Sequence, residues 1–285
     1  MDVTMQPDPV EFWRRAGALF EADPVRHTVA LTALRDVVNG RRKMPERPLL
    51  VTITEGGAVR GAAVRAPPRP LVVSGVPAGG AGALARFLRD QGVDPNGVSG
   101  PRDAADAVAS SWTAVSGRPA ELVMNMRLYR LTRLREPEVA GRLEVADERS
   151  VPLLARYRAA FAAEATPHAP TEDARTIVGE SIRSGNVHGI WRRDGVPRAC
   201  AVASRPVSGM SRISAVYTPW SERGHGYGSA VTAGLARWCL DHGVDNVVLF
   251  TDMSNPTSNS IYRRIGFVAY GDAVEYTFAR CDAVT

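Results

Sequence analysis

One segment decides the fold of this chain, Ala215-Val-Tyr-Thr-Pro-Trp-Ser-Glu-Arg-Gly-His-Gly-Tyr-Gly-Ser229. It joins the end of a predicted strand to a helix predicted from Gly228 to His242, through a glycine-rich loop. The first N–H groups of a helix lack partners within it, and the helix dipole makes this end positive. Glycines let the backbone approach an anion closely, and Arg223 adds a positive charge. The segment therefore predicts an anion site, although an ordinary surface turn between a strand and a helix is also rich in glycine.

Two nucleotide-binding motifs fit the loop poorly. The P-loop needs a lysine after its last glycine, and the segment contains no lysine. The dinucleotide fingerprint has the spacing Gly-x-Gly-x-x-Gly, whereas the glycines here stand at positions 224, 226 and 228. An antiparallel meander is also predicted before the loop, and too few strands follow it to complete a doubly wound sheet. The P-loop is therefore excluded and the dinucleotide fingerprint is disfavoured.

A second helix is predicted in the segment Asn255-Pro-Thr-Ser-Asn-Ser-Ile-Tyr-Arg-Arg-Ile-Gly-Phe267. Pro256 suits the first helical position, and Gly266 is typical of a helix end. Asn255 is expected to cap the helix, which is worth about 1 kcal/mol. Tyr262 has isoleucines beside it on this helix, so the helix by itself indicates a half-buried core tyrosine.

Together the two segments resemble the GCN5-related N-acetyltransferases. Arg223-x-x-Gly226-x-Gly228 is similar to the pyrophosphate loop of that family. The segment from Asn255 to Phe267 is similar to its Asn-x-x-Ala-x-x-x-Tyr helix that ends in Gly-Phe, with Ser258 in the small-residue position. The resemblance covers roughly residues 141–278. It implies an acetyl-CoA-dependent N-acetyltransferase in which a primary amine attacks the thioester directly in a ternary complex.

The resemblance also assigns roles to residues. The diphosphate of acetyl-CoA is expected on the backbone amides of residues 223–229, and the pantetheine arm is expected beside the backbone near Val216 and Thr218. Tyr262 is expected to protonate the leaving thiolate as a general acid, because a phenol with a pKa near ~10 is protonated at neutral pH and roughly matches a thiolate. No metal is expected. The implied cofactor-binding residues are Val216, Tyr217, Thr218, Arg223, Gly224, His225, Gly226, Tyr227, Gly228, Ser229, Asn255, Ser258 and Asn259.

Neither the general base nor the acceptor follows from the sequence. A water relay could replace a single base, and the acceptor stays open among small amines, antibiotics, amino acids and protein N-termini. An alternative function is a non-catalytic acyl-CoA-binding or sensing protein, against which the tyrosine argues. The candidate bases, chosen by polarity and approximate position, are Glu164, His168, Glu172, His188, Asp252 and Glu275.

The two halves of the chain show related patterns. The second half predicts the order β-α-α-β-β-β-α-β-α-β-β, with a helix from Thr171 to Gly185 and a final hairpin around Gly271-Asp272. The first half repeats part of this order, which indicates an internal duplication. The fold class is therefore α/β (α+β), with two tandem acetyltransferase-like domains, each a mixed, mostly antiparallel sheet flanked by helices. We predict a degenerate domain at residues 1–135 and a catalytic domain at residues 136–285.

The first half lacks the residues that the resemblance requires. Its counterpart loop, from Gly75 to Gly82, has glycines but no arginine at the matching place. Its second helix offers Trp112 where a tyrosine is wanted. We therefore predict one acetyl-CoA site in each chain, with the first half serving as a scaffold.

Composition limits the remaining functions. The chain of 285 residues is 45% hydrophobic and 23% charged, which is typical of globular proteins. Its net charge is +5, but the basic residues, all arginine except Lys43, form no stripe with aromatic residues, so nucleic-acid binding is disfavoured. No apolar run is long enough to span a bilayer, and the three distant cysteines provide neither a disulfide framework nor a zinc site. We expect a cytoplasmic protein, monomer or homodimer, that acts on a small-molecule or peptide amine.

Overall fold

The residues of the chain divide into two units, each of which packs mainly against itself. A computed structural model describes residues 1–38, 47–165 and 173–279. Within these residues, unit 1 consists of Met1–Leu128, Asp252–Ser254 and the stretch from Tyr270 onward, and unit 2 consists of Tyr129–Thr251 and Asn255–Ala269. The chain thus enters unit 2 at Tyr129, inside a strand and before the boundary of 135/136 that the sequence suggests. The division into a degenerate and a catalytic half stays a prediction.

The elements of the first half follow one another in the order β-α-α-β-β-β-α-β-α-β. They are β1 (Asp2–Met5), α1 (Pro9–Glu21), α2 (Thr28–Val38), β2 (Leu49–Glu55), β3 (Ala58–Arg65), β4 (Leu71–Gly75), α3 (Ala81–Asp90), β5 (Val98–Pro101), α4 (Arg102–Ser116) and β6 (Ala120–Leu131).

The second half repeats this order element by element. Its elements are β7 (Arg142–Val145), α5 (Val151–Ala165), α6 (Ala174–Arg183), β8 (Val187–Arg193), β9 (Val196–Ala203), β10 (Met210–Tyr217), α7 (Tyr227–Asp241), β11 (Asn246–Asp252), α8 (Pro256–Arg264) and β12 (Phe267–Phe278). A short 3₁₀ turn stands before α3 in one half, at Ala78–Gly80, and before α7 in the other, at Trp220–Glu222. The repeated order agrees with the predicted internal duplication.

The strands of each unit pair in the same manner. In unit 1, β1, β2, β3 and β4 are successive antiparallel neighbours, β4 pairs with β5 in parallel, and β5 pairs with β12 antiparallel. In unit 2, β7, β8, β9 and β10 are successive antiparallel neighbours, and β10 pairs with β11 in parallel. The predicted mixed, mostly antiparallel class with flanking helices is confirmed.

Each unit has its own hydrophobic core. In unit 1, Leu84 and Leu88 of α3 are buried in one cluster with Ile53 and Val73 of the strands. In unit 2, α7 buries the face that carries Val231, Leu235 and Cys239, and this face packs in a cluster that also contains Leu249 and Tyr262. The helical spacing of these residues is the pattern from which α7 was predicted.

The structure corrects several sequence expectations. The predicted final hairpin is wrong, because β12 continues as one strand through Gly271 and Asp272. The carboxylate of Asp272 pairs there with the guanidinium of Arg127 at 2.7 Å. The next residues, 273–276, pair with β5, so the chain continues as a strand instead of turning back. Strands β1 and β5, each of four residues, were not predicted, and β5 ends in Gly100 and Pro101, which are typical of turns. Helix α6 begins after Asp173, whose carboxylate accepts hydrogen bonds from two backbone N–H groups. Thr171, where the sequence predicts that this helix begins, lies outside the described residues.

Candidate active site

A gap opens between strands β10 and β11 in unit 2. The two strands pair only over Met210–Ile213 and Asn246–Leu249. Beyond this point β10 has a bulge, since Ala215 has a φ of 49° and the register against β9 shifts between Ser214 and Tyr217. A bulge bends a strand locally and disrupts the regular ladder. The end of β10, without a partner on β11, therefore borders the position that the sequence predicts for the pantetheine arm.

The side chains at this strand end point into two different clusters. Tyr217 is buried with residues of α5 and α6, and its ring centroid lies 5.5 Å from that of Tyr157. Val216 packs against the main cluster of unit 2. Thr218 follows the strand, and its carbonyl accepts a hydrogen bond from Arg223. Since the side chains of Val216 and Tyr217 are engaged in packing, these residues offer mainly their backbone to a ligand.

The glycine-rich loop has the conformation of an open anion site. Gly224 and Gly226 have φ values of 84° and 79°, which non-glycine residues rarely adopt. Gly226 occupies the N-cap position of α7, and no side chain caps the helix. The first N–H groups of α7, including those of Gly228 and Ser229, are therefore available to an anion. The predicted helix start is confirmed to within one residue, because α7 begins at Tyr227.

Two further loop side chains differ in exposure. His225 is exposed, and its ring centroid lies 5.7 Å from that of Tyr227. Tyr227 is buried, and its hydroxyl accepts a hydrogen bond of 3.3 Å from Arg193. Tyr227 therefore contributes its backbone to the start of the helix, while its ring belongs to the core.

Arg223 has partners within the protein. Its Nη2 donates to a carboxylate oxygen of Glu164 at 2.5 Å, and its Nε donates to the carbonyl of Thr218 at 3.1 Å. The guanidinium also lies 5.2 Å from the ring centre of Trp220, which is 81% exposed. The sequence predicted a positive charge for the anion. In the structure the side chain also ties the loop to the end of β10 and to α5, and its role toward the anion stays a prediction.

Helix α8 begins with a set of hydrogen bonds that the sequence predicted only in part. The Asn255 side chain accepts from the N–H of Ser258 at 3.0 Å, which confirms the predicted cap. The Asn259 side chain donates to the Asn255 carbonyl at 2.7 Å, and it accepts from the hydroxyl of Tyr129 at 3.0 Å. Sequence reasoning missed Tyr129, because its partner lies 130 positions away and no local pattern connects them.

Tyr262 is a core residue as well as the candidate acid. It is 8% exposed, and its ring meets Phe267 edge-on with 6.3 Å between centroids. Burial raises the pKa of its phenol to about 12, and a hydrogen bond with the Ser258 hydroxyl opposes this rise. The sequence-based expectation of a pKa near ~10 is therefore wrong for this state, because it took no account of burial.

The candidate bases are mostly engaged elsewhere. Glu164 pairs with Arg223, and burial lowers the pKa of His188 to about 4, with its Nε2 at 2.8 Å from the Ser181 hydroxyl. The Asp252 carboxylate accepts two hydrogen bonds from Ser254. Burial raises the pKa of Glu275, which belongs to unit 1, as does Asp252. His168 and Glu172 lie outside the described residues.

The corresponding loop of unit 1 has a different geometry. Gly80 precedes α3 with a φ of −90°, so it does not adopt the left-handed conformation of Gly226. A Cβ on Gly75 would lie 2.7 Å from the carbonyl oxygen of Ala62, so this glycine serves close packing of backbone. Trp112 is buried against Phe278, with 6.0 Å between ring centroids. These features support the interpretation of the first half as degenerate.

The described residues contain neither a candidate membrane-spanning helix nor a candidate metal site. No helix there has both the length and the apolar character needed to cross a bilayer. No group of three or more His, Cys, Asp and Glu side chains in the same part of the chain is arranged to hold a metal ion.

Comparison with known proteins agrees with the geometry. Residues 153–267 match the model of the acetyltransferase (GNAT) family. No curated protein matches the chain significantly. Among solved structures, the chain is similar to a GCN5-related N-acetyltransferase from Kribbella flavida, with 18% identity, a TM-score of 0.58 and coverage of 90% of this chain and 96% of that chain.

Two further structures cover nearly the whole chain. One is a GCN5-related N-acetyltransferase from Sphaerobacter thermophilus, with 17% identity, a TM-score of 0.58 and coverage of 96% of this chain and 94% of that chain. The other is a tandem GNAT protein from the clavulanic acid biosynthesis pathway, with 14% identity, a TM-score of 0.58 and coverage of 97% of both chains. At these identities the likeness establishes the fold. The family model identifies an acetyltransferase (GNAT) domain at residues 153–267, and the whole chain shares the fold of these proteins, one of which is a tandem GNAT protein.

Proposed function

We propose that unit 2 transfers an acetyl group from acetyl-CoA to a primary amine of a small molecule or peptide. One observation carries the proposal, namely that the gap beside β10, the uncapped start of α7 and the phenol of Tyr262 belong to the same compact unit. The edge of β10 can pair with the amides of an extended arm, as an added strand would. The start of α7 can bind a diphosphate.

The loop residues fit a diphosphate ligand. The positive φ values of Gly224 and Gly226 give the loop its shape, and the amides of residues 224–229 would hold the phosphate oxygens. Arg223 supports the loop from the side through Thr218 and Glu164. Asn255 and Ser258 form the start of α8, and they complete the set of residues that we assign to the cofactor.

The proposed reaction balances without a covalent enzyme intermediate. Acetyl-CoA supplies the acetyl group as an activated thioester. The amine nitrogen forms the new bond to the acetyl carbon and the carbon–sulfur bond breaks. Tyr262 donates a proton to the departing sulfur and regains one from water. The proton lost by the amine passes to water, directly or through a base that we leave unassigned; Glu164 is paired and His188 has a lowered pKa, so neither is assigned this role. Burial also raises the pKa of the Cys200 thiol to about 12, which disfavours an acyl-cysteine route.

The raised pKa of Tyr262 suits a donor that must stay protonated. A phenol with a pKa of about 12 carries its proton throughout the neutral range. The same shift makes it a weaker acid than free tyrosine. Its hydrogen bond to sulfur therefore strengthens as negative charge develops there, and the proton is transferred only once the thiolate has formed.

Tyr262→Phe tests the proposed acid. The variant keeps the ring and its packing against Phe267, so the fold should be unchanged. The dissociation constant of coenzyme A should stay within about twofold of the wild-type value. Turnover should fall about 10²–10⁴-fold. The assay follows release of the coenzyme A thiol with a panel of primary amines, and calorimetry gives the affinity. Tyr157→Phe is the matched control, because its hydroxyl bonds to the carbonyl of Pro197.

The result also distinguishes the alternative function. If folded Tyr262→Phe turns over within about twofold of wild type, the acid role is wrong. If wild type binds coenzyme A but acetylates no amine of the panel, the acyl-CoA-binding alternative is favoured.

A further inference from the structure

Tyr129 is a buried residue of unit 2 that the proposed mechanism does not use. It lies near the end of β6 and is 2% exposed, among the largest fully buried side chains described. Its ring packs in the cluster that contains Tyr262 and Phe267. Its hydroxyl nevertheless makes a polar contact, because it donates to Asn259 Oδ1 at 3.0 Å. A buried hydroxyl with a specific partner costs free energy when that partner is lost.

The contact is the first step of a continuous network. Asn259 Nδ2 donates to the carbonyl of Asn255 at 2.7 Å. The Asn255 side chain in turn accepts from the N–H of Ser258 at 3.0 Å. Tyr262 follows Ser258 by one turn of the same helix, and the Ser258 side chain lowers the pKa of its phenol against the effect of burial. An asparagine amide has one accepting end and one donating end, so both contacts of Asn259 require the same orientation.

Helix α8 depends on such contacts more than a long helix would. It has nine residues, and Tyr262 is its one buried residue. A helix of this length is marginal by itself and needs tertiary contacts to hold its position. The apolar contacts hold the end of the helix that carries Tyr262. The network holds its beginning, through Asn255 and Asn259.

We propose that Tyr129 is a positioning residue for Tyr262, acting through Asn259 and the first turn of α8. The inference rests on the proposed function, because it concerns the phenol that is assigned as the acid. A hydroxyl from β6 thereby fixes the orientation of the helix that carries the reacting group. Residues before position 136 thus supply part of the catalytic arrangement.

Tyr129→Phe tests the inference by turnover. The variant keeps the buried ring and removes only the hydroxyl. Turnover of acetyl-CoA, with the best amine of the panel, should fall about threefold to tenfold, and the dissociation constant of coenzyme A should change less than about twofold. Tyr157→Phe should leave turnover unchanged. In a Tyr262→Phe background, Tyr129→Phe should cause no further loss, because the positioned group is absent.

An effect of equal size in both backgrounds would overturn the inference, because it would indicate general destabilisation. If Tyr129→Phe keeps full turnover while Tyr262→Phe is impaired, the positioning role of Tyr129 is wrong. The acid role of Tyr262 would then stay intact.

A second measurement does not depend on catalysis. In protein with ¹³C-labelled tyrosine, the Cζ resonance of Tyr262 should shift in Tyr129→Phe at neutral pH and stay in place in Tyr157→Phe. An unshifted resonance in Tyr129→Phe would overturn the inference even if Tyr262 had no role in turnover. A shifted resonance together with a fully active Tyr262→Phe would support the positioning contact and refute the acid role.

Discussion

Replacing Gly226 with valine should weaken coenzyme A binding strongly at a moderate cost in stability. Gly226 has a φ of 79°, and a Cβ there would lie 2.9 Å from Val139 Cγ2. The left-handed conformation costs a non-glycine residue roughly 1–2 kcal/mol, and β-branching and the close contact increase this cost. The expected loss in the free energy of unfolding is about 2–3 kcal/mol, which a domain with a typical stability of about 5–15 kcal/mol survives.

The substitution should weaken coenzyme A binding even though the protein stays folded. Relief of the strain would turn the amides at the start of α7 away from their present directions. Hydrogen bonds to a charged group contribute about 1.5–3 kcal/mol each, so two lost bonds weaken binding more than about 100-fold. Titration calorimetry with coenzyme A measures this change, and thermal unfolding measures the stability.

Two other glycines of the loop provide matched controls. Gly224 has a φ of 84°, and no atom lies within 4 Å of the position that a Cβ would occupy there, so Gly224→Ala isolates the conformational cost. Gly228 has an ordinary φ, and its Cβ would lie 3.4 Å from Thr218 Oγ1, so Gly228→Ala should be close to wild type in stability. If folded Gly226→Val bound coenzyme A within about twofold of wild type, this loop would not be the diphosphate site.

Three further measurements test the number of cofactor sites, the pair of Arg223 with Glu164, and the burial of His188. Calorimetry should give one acetyl-CoA site per chain, since only the second half carries the loop with Arg223; two equivalent sites would show that the first half is not degenerate. Glu164→Gln should raise the dissociation constant of coenzyme A up to about fivefold with turnover little changed, because the partly exposed ion pair supports the loop; a large fall in turnover would make Glu164 the base. Burial lowers the pKa of His188 from 6.5 to about 4, so the unfolded chain binds a proton that the folded chain excludes as the pH falls between these values. The free energy of unfolding should therefore drop by about 2 kcal/mol between pH 7.5 and pH 5 from this group, and urea titration of His188→Gln should show a correspondingly weaker pH dependence.

Local patterns predicted much of the fold because they report local physics. Apolar residues at helical spacing predicted α7, and a proline after a capping asparagine predicted the start of α8. The prediction of a hairpin at Gly271-Asp272 was wrong because contacts distant in sequence decide the conformation there. Glycine and aspartate are typical of turns, but strand pairing and the ion pair with Arg127 decide the conformation there.

The sequence by itself determined the segments of the candidate site, namely the glycine-rich loop, the capped helix and the helical position of Tyr262, because each is encoded in a few adjacent residues. Only the tertiary structure decided which partners and which pKa values these groups have. It showed that Arg223 is paired with Glu164 and that burial raises the pKa of Tyr262. It also brought Tyr129 to Asn259, across 130 positions of sequence. The ion pairs and the burial of a side chain depend on which distant segments of the chain pack together. The free energy of that packing comes from the whole core and not from a few adjacent residues.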